Sequence, residues 1–391
     1  MAARRDPPVM TRRPARSTVL ALAIGVALAA TAARATPAAG YPYFQLTSGN
    51  DTCSACHVSP SGGGPLTEWG RGESGDTLAR GGDGAFLHGA VELPAWLDVG
   101  GDVRLAALVN DVGSANGAER ALFPMQAELS VHAHGGGWHV IAAAGLLDAV
   151  RQAPVAATEQ PAAPWLVSPA HYVLWRAGER GPYARAGKFA TPYGLGLADH
   201  TTYVRRQPGL GLDEEPYAVS AGYLGAAWDV HATAFVSDPW RGPADREAGG
   251  AVKLERRLGP RVLQASARIG AAPDDVRARA GVSGGWWYAP ASLLALVELD
   301  GGWEALPMGG RPQLTTYAGL AWLPARGVVA GTAYEHDDED LAAGGDTRDA
   351  LDLWSTFMPI AHVELGLSSR YQWIAGGGRA AMALFQVHYF L

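Results

Sequence analysis

Residues 123–134 read Phe-Pro-Met-Gln-Ala-Glu-Leu-Ser-Val-His-Ala-His, with a period of two. Phe123, Met125, Ala127, Leu129, Val131 and Ala133 fall on one side, and Gln126, Glu128, Ser130, His132 and His134 on the other. A strand with one apolar and one wet face has this pattern. It recurs where Val363, Leu365, Leu367, Tyr371 and Trp373 oppose Glu364, Ser368, Arg370 and Gln372, and again over 263–269 and 276–283. Sixteen such runs can be read between Trp96 and Leu391, starting near residues 97, 122, 137, 169, 182, 215, 228, 247, 261, 276, 291, 312, 327, 350, 361 and 379.

The connections sort as the strands do. Those after even-numbered runs are tight, as at Gly135-Gly136-Gly137 and Leu258-Gly259-Pro260, whereas those after odd-numbered runs are mostly longer, as at 110–121, 149–168, 190–214, 237–246, 301–311 and 336–349. Short turns on one side, long loops on the other and aromatic residues near strand ends (Trp286, Trp287, Tyr288, Trp322, Trp354, Trp373) are the marks of a barrel in an outer membrane. The last run places Ala383, Phe385, Val387, Tyr389 and Leu391 on one face up to the final residue, which resembles the C-terminal signal of outer-membrane barrels. The expected fold is therefore all-β, an approximately 16-stranded transmembrane β-barrel in contact with lipid. An edge exposed to hydrocarbon is intolerable, so the barrel has to close, and sixteen strands enclose an aqueous lumen.

Composition agrees. The chain has 391 residues, 48% hydrophobic and 18% charged, too apolar for disorder, and its apolar residues are too dispersed for membrane helices. The one long uncharged apolar run, Thr18 to Thr31, follows five arginines and precedes Ala33-Arg34-Ala35, so residues 1–35 read as a signal peptide, with a retained anchor as the weaker reading. That leader holds six Arg and one Asp; without it Lys+Arg falls from 31 to 25, Asp+Glu from 38 to 37, and the formal charge from −7 to −12. So acidic a chain is a poor partner for nucleic acid.

Both cysteines lie in Cys53-Ser54-Ala55-Cys56-His57, the c-type haem attachment pattern. Two thiols at this spacing can add to two vinyl groups of one porphyrin, and the adjacent His57 can bind its iron from the proximal side. A Cys-x-x-Cys disulfide or half of a zinc site are the alternatives, and zinc lacks a second cysteine pair. Tyr41, Tyr43, Phe44 and Trp69 offer flat packing surfaces nearby. Residues 36–94 read as a small, Gly-rich monohaem cytochrome c segment, too short to build a core alone, and residues 95–391 as the barrel. The lumen is the wall this segment needs.

The motif, the Phe44-Gln45-Leu46-Thr47-Ser48-Gly49 stretch before it and the barrel pattern together resemble the fused outer-membrane cytochrome–porins of iron-oxidising bacteria. Val58 to Gly64 departs from the form found in iron oxidisers, which bears on the electron donor. The resemblance implies one covalent haem c on Cys53 and Cys56 with His57 as proximal ligand. It also implies electron transfer across the outer membrane, for example from extracellular ferrous iron or another external redox donor or acceptor to or from a periplasmic carrier, with the haem segment on the periplasmic side or within the lumen. His88, between motif and barrel, and His200, in a long loop expected to fold into the lumen, are the candidate distal ligands. An open sixth site is the alternative. His132, His134, His231, His362 and His388 fall on the wet face and read mainly as hydrated polar groups, Met125 as facing lipid, and Met308 as lying in an outer loop. The acidic stretch Glu335 to Asp340 reads as solvated loop, with iron or calcium binding as the sharper option. Arg104, Arg205, Arg206, Arg268, Arg277 and Arg279 could face propionates or an anion path, or simply pair with Glu128, Glu255 and Glu364. Competing functions are a diffusion porin with a disulfide, and a haem-bearing sensor or plug.

Overall fold

The computed structural model describes residues 42–47, 52–113, 117–147, 166–211, 214–239, 246–307, 309–345 and 347–391. The expected signal peptide, most of loop 149–168, and Met308 lie outside these. Sixteen antiparallel strands form a closed barrel: β1 Leu97–Asp111, β2 Glu119–Gly135, β3 Trp138–Leu147, β4 Leu166–Arg176, β5 Gly181–Lys188, β6 Tyr217–Leu224, β7 Trp228–Val236 and β8 Ala248–Arg257, then β9 Arg261–Ala272, β10 Asp275–Tyr288, β11 Leu293–Leu306, β12 Gly309–Ala325, β13 Val328–Asp338, β14 Arg348–Ile360, β15 Val363–Ile374 and β16 Gly378–Phe390. β1 pairs with both β2 and β16, so no edge is left unpaired. Every strand starts within three residues of the start expected from the sequence.

The wall is inside out relative to a soluble protein. Val103, Leu129, Val282, Val297, Leu353 and Phe385 are exposed on its outer face, while Glu255, Gln264, Glu298, Glu335 and Arg370 are buried on the inner one. Such an apolar outer band suits acyl chains, not water. Trp286, Tyr288, Trp322 and Trp373 stand outward near strand ends, as a girdle requires, but Trp287 and Trp354 turn inward and pack on the lumen cluster.

Three expectations need correction. Met125 does not face lipid: Arg104 pairs with Gln126 and Leu105 with Pro124, so Met125 is the extra residue of a β-bulge. A bulge flips the phase of alternation, which puts Phe123 and Met125 among the buried lumen residues beside Ala106 and Leu108, while the wet face from Gln126 to His134 still points inward. The expected loop 301–311 is mostly strand, because β11 and β12 pair as far as Leu306 and Gly309; the connections at 273–274 and 375–377 are equally short. The acidic stretch is not a solvated loop either, since β13 carries Glu335 to Asp338 and buries Glu335 and Asp337.

The N-terminal segment lies inside the turn end of the barrel. Its elements are short: α1 Pro42–Gln45, α2 Cys53–Cys56, α3 Glu68–Glu73, a π-helical turn Ser74–Leu78 and a 3₁₀ turn Phe86–Gly89. None could stand alone, since an isolated helix needs about 12–15 residues in water. Apolar burial fixes them instead. Phe44, Leu46, Cys56, Leu78 and Ala79 join one cluster with Leu294, Leu296, Leu323, Val329 and Met358 of the wall, each large side chain contributing roughly 2 kcal/mol. Polar grips surround that cluster. Arg176 Nη1 donates to Val58 O at 3.1 Å, Arg185 donates to the hydroxyls of Ser59 and Ser61 at 3.1 Å each, and Gln45 Nε2 donates to Glu255 Oε1 at 2.7 Å. Arg326, in the β12–β13 turn, donates to the carbonyls of Gly75 and Ala79. Gly82 takes φ +96°, and a Cβ there would lie 2.8 Å from that of Ala361; this close approach lets Ala361 N donate to Gly81 O at 2.7 Å.

Candidate haem-attachment site in the lumen

The attachment motif forms one helical turn clipped by the residues after it. His57 N donates to Cys53 O at 3.0 Å, and Thr67 N donates to Cys56 O at 2.9 Å. The Thr67 hydroxyl donates to Ala55 O at 2.6 Å while accepting from Gly70 N at 3.0 Å, so one residue both ties down the Cys-x-x-Cys turn and caps α3. Gly70 lies against that turn. A Cβ there would overlap Cys56 O and come 2.9 Å from Cys56 C and Cα, both backbone atoms that cannot swing away. Gly70→Ala is therefore expected to cost about 1–3 kcal/mol of segment docking, as overpacking does.

From the opposite direction the long loop between β5 and β6 folds into the lumen. Tyr193 OH donates to Asp300 Oδ1 at 3.1 Å, Leu195 N to Glu298 Oε2 at 2.8 Å, and Lys253 Nζ to Gly194 O at 2.7 Å. The short helix α4, Tyr203–Arg206, is seated by Tyr203 N donating to Glu335 Oε2 at 2.6 Å, and Arg205 staples the loop to itself through Leu197 O and Leu210 O. Glu335 also meets Arg370 at 3.0 Å, and Gln207 Nε2 donates to Asp337 Oδ2 at 2.6 Å. The acidic residues of β13 thus receive this loop.

Between segment and loop is an open-sided cavity, and Cys53, Cys56 and His57 line it. Phe44, Leu195, Leu197, Val204 and Leu210 make its apolar side, and Lys253, Arg205 and Glu298 supply charge. Cys53 and Cys56 are not bonded to each other. Burial, reinforced by Glu255, pushes the Cys53 thiol from its ordinary 9.0 up to about 12; burial, with Glu73, pushes Cys56 up to about 11. The cause is that the low-dielectric pocket disfavours thiolate. In the docked segment, thiolate is disfavoured at both cysteines, while both still border the cavity. In haem-free protein, iodoacetamide at pH 8 is expected to alkylate Cys53 on the order of a thousandfold more slowly than in denaturant. Gly70→Ala should erase much of that protection, whereas equal rates in folded and denatured wild type would show that the thiols are not enclosed.

The residues present fit a covalent haem: two thiols and an imidazole in sequence, free space beside them, an apolar wall and cations close by. The candidate distal ligands are not brought to that space. His200 lines a second cavity, on the far side of Phe44, Leu197 and Ala198, which border both. There burial opposes the Asp199 carboxylate, but His200 and two bonds from Thr201 outweigh it and hold it below its ordinary range. His88 borders neither cavity; its ring packs edge-on to His362 at 4.8 Å. His362, in the turn before β15, donates through Nε2 to Ala85 O at 2.9 Å. His231 and His388 bond Tyr183 and Asp102. His132 and His134, by contrast, meet Asp98 and His139, two residues the sequence reading passed over. The available signal was a third histidine just after the triple-glycine turn.

No protein-family model and no curated protein matches the chain. Solved structures do. It is similar to an anion-selective porin from Comamonas acidovorans (13% identity, 75% of this chain and 99% of that one, TM-score 0.57). It is also similar to the outer-membrane protein OmpT of Vibrio cholerae (10% identity, 77% and 99%, TM-score 0.57) and to the outer-membrane channel DcaP of Acinetobacter baumannii (11% identity, 75% and 97%, TM-score 0.54). At such identities the likeness is one of fold, and the fold is that of the outer-membrane β-barrel porins.

Proposed function

We propose that this chain is an outer-membrane barrel whose lumen holds one covalent c-type haem and that it passes electrons between an external donor or acceptor and a periplasmic carrier. The observation that carries the reading is the placement of Cys53-Ser54-Ala55-Cys56-His57 inside a closed barrel, against a cavity bordered by both cysteines. Cys53 and Cys56 would hold the group through thioethers and His57 would be its proximal ligand. Bound there, a haem supplies one-electron redox chemistry. The chain's own part is placement: the Arg176, Arg185 and Arg326 grips fix the segment, and Phe44, Leu197 and Val204 exclude water from the attachment side. Lys253 and Arg205 are the cations on hand for carboxylates.

The membrane location rests on the apolar outer band, the aromatic girdle and the porin fold. Purified protein in liposomes enclosing an electron acceptor tests the function: an external reductant should reduce the enclosed acceptor, and a sealed, haem-bearing preparation that transfers nothing would overturn it. A second reading, a diffusion porin without a redox centre, is favoured by the shared fold with an anion-selective porin and an outer-membrane channel. It requires ion conductance together with absence of haem staining on the denatured chain.

A further inference from the structure

We propose that Asp98, His132 and His134 form a binding site for one divalent first-row transition-metal ion, of which Zn²⁺ is representative, with His139 as the residue that orients His132. The site is built by strand register. Asp98 of β1 pairs directly with His132 of β2, and His134 of β2 pairs directly with His139 of β3. His132 and His134 are two residues apart and so share a face. Three strands therefore converge one carboxylate and three imidazoles on the lumen side of the turn end.

The distances suit a single ion. His132 Nδ1 is 2.8 Å and His134 Nε2 is 3.4 Å from the same oxygen, Asp98 Oδ2. Donors about 2.0–2.1 Å from a tetrahedral zinc lie about 3.3 Å apart, so these two separations bracket the value. One donor atom from each of the three residues falls within 4.8 Å of the others. The rings of His132 and His134 are stacked, with centroids 4.7 Å apart and planes at 20°. His132 is buried while Asp98 and His134 keep partial exposure, which leaves an entry path.

Without an ion, His132 Nδ1 donates to Asp98 Oδ2 at 2.8 Å, and a binding ion would take the place of that proton. His132 Nε2 is 2.9 Å from His139 Nδ1, so a proton on Nε2 donated to His139 would then keep the Nδ1 lone pair on the metal. Arg71 Nη1 takes the other Asp98 oxygen, Oδ1, at 3.0 Å, which leaves Oδ2 for the ion and ties the site to α3 of the attachment segment. Two imidazoles and one carboxylate select borderline transition ions over Ca²⁺ and Mg²⁺, which demand oxygen.

The test is Zn²⁺ uptake by the full-length, untagged protein in detergent, followed by competition with a chromophoric chelator. It is repeated in a Cys53→Ala/Cys56→Ala background so that thiols contribute nothing. One saturable equivalent is expected, and Asp98→Asn or His134→Ala should weaken it at least tenfold, with heat-modifiable gel migration reporting an intact barrel. His139→Gln should keep the stoichiometry at one and lower affinity roughly 10–100-fold. Excess Ca²⁺ should not compete. No saturable equivalent in wild type, or uptake unaltered by both Asp98→Asn and His134→Ala, overturns the site.

Discussion

The Cys53→Ala/Cys56→Ala double variant is expected to lose all haem staining after denaturation and all reduction of a liposome-enclosed acceptor, while migrating as a folded barrel on an unheated gel. The separation of effects follows from where the two side chains sit. They belong to a four-residue helical turn held by backbone bonds from His57 and Thr67, none of which involves a thiol. Cys56 is buried in the lumen cluster, so truncation costs on the order of 1 kcal/mol there, as a small core deletion does. The sixteen-strand ladder is untouched. His57→Ala supplies the contrast: both thiols remain, so covalent staining should persist while the absorption spectrum changes with the loss of the proximal ligand. Staining that survives the double variant would remove covalent attachment from the account, and with it the redox reading.

Much of this architecture was legible in the sequence because a barrel wall is a local code. The alternation of Val363, Leu365 and Leu367 with Glu364 and Ser368 needs no distant partner to specify which side faces out, and tight turns after even-numbered strands announce themselves through glycine and proline. The code failed where one residue broke the count. At Met125 a bulge reverses the phase; Pro124, which cannot donate to a ladder, is its mark in the sequence, while Phe123 and Met125 are as plausible toward lipid as toward the apolar lumen cluster they join. It failed again at Glu335 to Asp338, where charge density resembled a loop; these acids are buried because Tyr203 N, Arg370 and Gln207 reach them from elements more than thirty residues away. The Cys53-Ser54-Ala55-Cys56-His57 motif is equally local. The distal side is tertiary. Whether His88 or His200 faces His57 depends on how the segment and the β5–β6 loop meet, and Phe44 with Leu197 stands between the two cavities. The metal cluster lies between these extremes, since His132, His134 and His139 are close in sequence but Asp98 enters only through the β1–β2 register.

Removing the attachment segment, residues 42–94, is expected to raise single-channel conductance in planar bilayers several-fold. A 16-stranded barrel leaves an aqueous channel when nothing fills it, and here two elements do: the segment from the turn end and the β5–β6 loop from the other direction. The loop has its own anchors on Ser266, Glu298, Asp300 and Glu335, none of which comes from the segment, so it should stay in place and set the residual constriction. What the deletion exposes is a patch of wall, Leu294, Leu296, Leu323 and Met358, that gains no substitute for Phe44, Leu46 and Leu78. At roughly 2 kcal/mol per large side chain, the lost burial lowers barrel stability without removing a single ladder bond. A milder variant separates occupancy from folding. Arg185→Met keeps side-chain length but loses both bonds to Ser59 and Ser61, each worth about 1.5–3 kcal/mol as a bond to a charged donor. A segment held that much less tightly should leave and re-enter, giving brief openings toward the conductance of the deletion in records otherwise at the wild-type level. If the deletion conducts no better than wild type although its unheated migration shows a folded barrel, the segment does not obstruct the pore. Its burial would then serve only to position the attachment motif.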